Sequence, residues 1–186
     1  MNTFSVLVYV AWLLSEILIN RMMRSGARDA DGKDKASLGF IWIAIAVGVG
    51  LSVYISGHIN APIVLGFPIG LVGLLVILAG VLMRLAVIRS LGRFFTADVT
   101  IRQDHALKQD GFYKYLRHPS YTASLISFAG FGLSLNNWIS LALIVCTILI
   151  AFIYRIRVEE EALIGHFGEA YRRYRQTTKA IIPFIY

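Results

Sequence analysis

Two short polar stretches in an apolar chain hold the residues that could do chemistry. The first runs from His105 to Tyr121, H-A-L-K-Q-D-G-F-Y-K-Y-L-R-H-P-S-Y, and the second is R-I-R-V-E-E-E-A-L, from Arg155 to Leu163. Gln109-Asp110-Gly111 reads as a turn, with Gly111 free to take positive φ. Pro119 suits the first turn of a helix, where its missing N–H would have had no partner. Such a helix start presents unpaired donors and partial positive charge, a seat for a carboxylate. Arg117 would reinforce the seat, and Tyr121, one turn in, could set its ring against a flat group. The other reading of Arg117-His118-Pro119 is topology and capping alone.

In the second stretch the pattern predicts a charged helix over roughly 155–176. At about 100° per residue, Ile156, Glu160, Leu163, Ile164, Phe167, Tyr171 and Tyr174 share one face, with Glu160 at its centre. A carboxylate on a packed face must be paired or hydrogen-bonded. Three partners are available: Arg157 at i,i+3, which would be a structural pair only, an arginine or histidine of the 105–121 segment, or a cationic ligand. Glu159 and Glu161 are expected in water or paired with Arg155 and Arg157.

The elements that must position these groups lie in a membrane. The chain is 57% hydrophobic and 16% charged, with mean hydropathy +0.67, a balance foreign to a soluble domain. Its apolar runs reach the roughly 20 residues that a helix needs to cross a bilayer. The expected fold is all-α and polytopic, with about five transmembrane helices (3–20, 38–57, 63–85, 121–135 and 138–154) and a cytoplasmic C-terminal helix. Residues 1–186 form one domain, with the candidate site in 93–121 and 155–186. Pro68, between Gly66 and Gly70, falls inside the third span and predicts a kink or a close helix contact. Ser25 to Ser37 reads as a polar loop. The first span lacks the basic n-region and cleavage site of a signal peptide.

The 18 Lys and Arg fall in three groups, Arg21 to Lys35, Arg84 to Arg117 and Arg155 to Lys179. Five spans with the N-terminus outside put all three in the cytoplasm, as the positive-inside bias requires. The net charge of +7 then serves topology and attraction to anionic lipid rather than nucleic acid. The single cysteine, Cys146, leaves no disulfide framework and no metal cluster. Glu16, about one turn from Arg21, either lines a substrate cavity or snorkels to the interface, and snorkelling is the expectation.

The ordered motifs H-x-L-x-x-x-G-x-Y-x-x-x-R-H-P-S-Y, R-x-x-x-E-E, F-G-x-x-Y-x-x-Y and a terminal I-P resemble the isoprenylcysteine carboxyl methyltransferase family over the C-terminal half. The resemblance implies a multi-pass membrane enzyme that uses S-adenosylmethionine to methylate a carboxylate on a lipid-like or prenylated substrate. It implies a cofactor pocket lined by His105, Leu107, Gly111, Tyr113, Arg117, His118, Pro119 and Tyr121, with Glu160 at the cofactor. Arg155 would hold the substrate carboxylate. The helical wheel favours Arg157 for that place, so both are kept and Arg155 is preferred, with Glu16 as a further substrate contact. The compact size resembles prokaryotic members, which implies an inner membrane. Rival readings are another lipid, amine or thiol acceptor, a nicotinamide-dependent membrane reductase, and a non-catalytic lipid-binding protein. Oligomeric state is not legible.

Overall fold

Apolar runs dictate the architecture, because in lipid every backbone group must be satisfied within its own helix. A computed structural model describes residues 3–22, 32–92 and 107–182. Among these are six α-helices: α1 (Thr3–Met22), α2 (Gly32–His58), α3 (Ile69–Leu91), α4 (Pro119–Ser134), α5 (Trp138–Phe167) and α6 (Glu169–Thr177). Four of them, α1, α2, α3 and α5, are long and apolar enough to cross a membrane. With 16 residues, α4 spans about 24 Å, short of a hydrocarbon core of about 30 Å. At 30 residues, α5 is about 45 Å long, so its charged second half extends past the apolar layer.

Several boundaries differ from the sequence expectation. The third helix starts at Ile69 rather than 63, and Pro68 is its N-cap. Proline therefore starts this helix instead of kinking it. The polar stretch 32–37 is helical, the opening of α2. The expected helix over 155–176 is split. Its first part continues α5, and Gly168, at φ 54°, turns the chain into α6. A residue with a side chain resists that left-handed conformation.

α3, α4 and α5 form the centre, with α1 and α2 against it. α3 and α4 touch backbone to backbone. A Cβ on Gly80 would meet the carbonyl oxygen of Ala123 at 2.7 Å, and one on Gly130 would meet the amide of Ile77 at 2.6 Å. Small residues allow this approach. Phe128, Phe131, Ile144, Ile148 and Phe152 fill the core, together with Trp12 of α1 and Ile41 and Ile45 of α2. At one end of the bundle Asn137 caps α5 through Ile139 N and Ser140 N, both at 3.0 Å, and donates to the carbonyl of Ile59 at 2.6 Å. The basic ends of α1 and α3 meet at the opposite end, where Arg84 pairs with Glu16 and also donates to Ser124 of α4. Glu16 is buried in this contact rather than snorkelling to the interface. An ionised pair facing protein is the economical arrangement at membrane depth.

Candidate active site

The polar end of the bundle is assembled by a strand-like contact between distant segments. Arg117 N donates to Lys179 O at 2.8 Å, His118 N to Ala180 O at 3.0 Å, and Lys179 N to Tyr115 O at 3.3 Å. Thr122 adds a hydroxyl bond to Ile181 O at 2.7 Å, and Tyr174 donates to Tyr113 O at 2.6 Å. The tail after α6 is thus stitched to the R-H-P segment. That leaves Arg117 and His118 facing the second half of α5.

Glu160 is the centre of what results. Its Oε1 accepts from Arg117 Nε at 2.7 Å, from Tyr171 at 3.3 Å and lies 3.3 Å from His118 Nε2. Its Oε2 is 3.1 Å from Arg175 Nε. Arg117 is itself aimed by the carbonyls of Thr178 and Arg175. The partner from the 105–121 segment is therefore the one realised. Arg157 is exposed, and the expected i,i+3 pair with Glu160 is not among the observed ion pairs of the described residues.

One turn away a second cluster forms. Arg155 is fully buried. Its Nε donates to Glu159 at 3.0 Å and one η nitrogen to Ser37 of α2 at 2.6 Å. Glu159 also accepts from Tyr121, whose ring packs on Phe152 at 4.8 Å between centroids. His118 joins the clusters, with Nδ1 3.4 Å from Glu159 and Nε2 3.3 Å from Glu160. Burial alone would push the imidazole pKa down, but bonds to the two carboxylates outweigh it, and the value lies above the ordinary 6.5. Tyr174 is pushed up to about 12, chiefly by burial. Burial and then the Glu160 charge raise Tyr171 further. Both phenols therefore stay protonated and act as donors.

Of the other expected residues, Gly111 has φ 58° and opens a short 3-10 turn, Gly111–Lys114, that buries Tyr113. Leu107 is half-buried. Pro119 is the first residue of α4. His105 lies outside the described residues. Glu16 belongs to the Arg84 contact and is in neither cluster. Ser37 and Arg175 are not among the expected site residues, and Glu159, expected in water or paired with Arg155, makes that pair. Only Glu159 had a signal, its i,i+4 spacing from Arg155. Ser37 and Arg175 arrive through tertiary contacts alone.

Fold and site together define a polytopic helical membrane protein with two coupled carboxylate–arginine clusters at one end of its bundle. The model of the isoprenylcysteine carboxyl methyltransferase (ICMT) family matches residues 71–165, and the chain belongs to that family. It is 36% identical over 115 residues to protein-S-isoprenylcysteine O-methyltransferase B of Arabidopsis thaliana, covering 61% of this chain and 58% of that protein. It is 39% identical over 83 residues to the Schizosaccharomyces pombe enzyme of the same name, covering 45% of this chain and 35% of that protein. The matched part of the chain thus spans 58% and 35% of the length of these two relatives. In shape it is similar to the eukaryotic intramembrane Ras methyltransferase ICMT, with TM-score 0.64, 21% identity, and 97% of this chain and 68% of that one covered.

Proposed function

We propose that the chain is an S-adenosylmethionine-dependent methyltransferase that esterifies the carboxylate of a lipid-like acceptor such as an isoprenylcysteine. The observation that carries the reading is the pairing of the two clusters through His118, which sets Arg155–Glu159 beside Glu160–Arg117.

The charges fit the cofactor. A methionine-derived zwitterion bearing a sulfonium needs cations for its carboxylate and anions for its ammonium and sulfonium. Arg117, Arg175 and His118 alternate with Glu159 and Glu160 here. Arg175 is 45% exposed, so it can turn from Glu160 at little cost. Buried Tyr113 and Tyr174 add flat apolar surface beside these charges. When bound, the cofactor supplies an electrophilic methyl group.

The chain's own residues then have distinct tasks. An acceptor carboxylate is a nucleophile at neutral pH, so no general base is required. Arg155 orients it, and Glu159 and Ser37 orient Arg155. Glu160 and Arg117 hold the polar end of the cofactor, and His118 ties the two sites together. Alignment of this kind is worth roughly 7–11 kcal/mol. The acceptor's apolar body enters from the bilayer, past Tyr121 and Phe152. On the positive-inside bias this end faces the cytoplasm from a prokaryotic inner membrane, with the N-terminus outside.

The test is turnover by detergent-purified protein with methyl-labelled S-adenosylmethionine and an N-acylated S-prenylcysteine. The expected product is a base-labile methyl ester that releases labelled methanol in alkali. Folded protein that makes no base-labile product from any carboxylate-bearing lipid would overturn the reading.

A further inference from the structure

We infer that Ser37 of α2 is a positioning residue for Arg155, so that the N-terminal helices complete the substrate-carboxylate site; this rests on the proposed function. Ser37 is fully buried and so is Arg155. Its hydroxyl accepts from an η nitrogen of Arg155 at 2.6 Å across 118 residues of sequence. On the other edge of the guanidinium, Nε is held by Glu159 at 3.0 Å. Glu159 is in turn fixed by Tyr121 and His118.

A guanidinium is a planar fork whose direction matters as much as its charge. Glu159, i,i+4 on the same helix, holds the fork at Nε. The bond to Ser37 comes from a different helix and holds an η nitrogen, so the direction of the fork is set from two elements rather than from its own helix alone. Ser37 also lies outside residues 71–165, the part matched by the family model. The contact is thus supplied by the portion of the chain that carries no family motif. Elsewhere α2 lies along α5 through apolar side chains and through Ser52 and Ser140, which exchange hydroxyl-to-carbonyl bonds at 3.2 and 2.8 Å. The Ser52–Ser140 bonds dock the helix. The bond from Ser37 reaches a side chain of the site.

The test measures kcat, acceptor KM and cofactor-product affinity for Ser37→Ala, Ser37→Thr and Arg155→Lys, and for Ser37→Ala combined with Arg155→Lys. Misaiming a reactant is expected to lower kcat/KM for the prenylcysteine acceptor about 10- to 100-fold in Ser37→Ala. Affinity for S-adenosylhomocysteine should stay within about twofold, and Ser37→Thr, which keeps the hydroxyl, should recover most of the activity. With Arg155→Lys already in place, removing Ser37 should cost nothing further, because the two act as one unit. This last comparison holds even if threonine does not fit the buried position. Wild-type turnover with an unaffected Ser37→Ala would overturn the inference alone, as would losses that simply add in the double variant. A folded wild type that neither binds S-adenosylhomocysteine nor turns over would overturn the proposed function and this inference with it.

Discussion

Glu160→Gln keeps the shape of the side chain and removes the negative charge that faces Arg117 and Arg175 and that, with Glu159, faces His118. The side chains of Arg117 and Glu160 are only 10% and 9% exposed, and breaking such a shielded pair from one side costs about 3–5 kcal/mol. Two features set the expectation at the lower end. The glutamine oxygen can still accept from Arg117, and Arg117 keeps the carbonyls of Thr178 and Arg175. Arg175 contributes little, being half in water. A loss of about 3 kcal/mol corresponds to a drop of about 6–12 °C in melting temperature for a chain of this size. If Glu160 also engages the cofactor's ammonium, a charge-assisted bond of about 1.5–3 kcal/mol is lost as well, or about 10- to 100-fold in affinity. The assay is calorimetric titration of S-adenosylhomocysteine, beside thermal melts of wild type and variant in the same detergent. Unchanged affinity and unchanged melting would refute the account of Glu160 as the centre of the site. Lower melting with unchanged affinity would leave it a structural residue and remove it from the cofactor.

The two arginines of the second stretch should separate cleanly. Arg155→Ala should keep cofactor-product affinity and lose turnover, whereas Arg157→Ala, an exposed position, should stay within about twofold of wild type in kcat/KM. The reverse pattern would move the substrate carboxylate to Arg157. Glu16→Ala should destabilise by about 3–5 kcal/mol, because it strands Arg84. Glu16→Leu combined with Arg84→Met should restore most of that in thermal melts, since Arg84 Nε is already without a partner. A double variant no better than the single one would mean the pair does more than join α1 to α3. His118 binds its proton more tightly folded than unfolded. Its contribution to stability is therefore full below its ordinary value of 6.5 and is lost as pH rises through the raised folded value. Melting temperature should fall over this range in wild type and much less in His118→Gln, and equal slopes would show that His118 is not the titrating link.

Local chemistry made much of this protein legible before its folding was known. Apolar runs long enough for a bilayer required helices, because lipid offers no other partner for backbone groups. The start of α4 at Pro119 and the positive φ at Gly111 followed from what proline and glycine can and cannot do. Glu160 stood out because a carboxylate on an apolar face must find a cation. Which cation it finds was not legible. Arg157 is the near neighbour in sequence, yet Arg117 and Arg175 occupy the place. Gly168 breaks the helix, α6 folds back, and the tail pairs with residues 115–118. Glu16 and Ser37 were decided in the same way, by Arg84 and Arg155 on other helices. Sequence periodicity reports the face on which a charge lies. Only the packing of helices distant in sequence decides which opposite charge shares that face, because the desolvation of buried ions is offset by whatever partner the tertiary fold delivers.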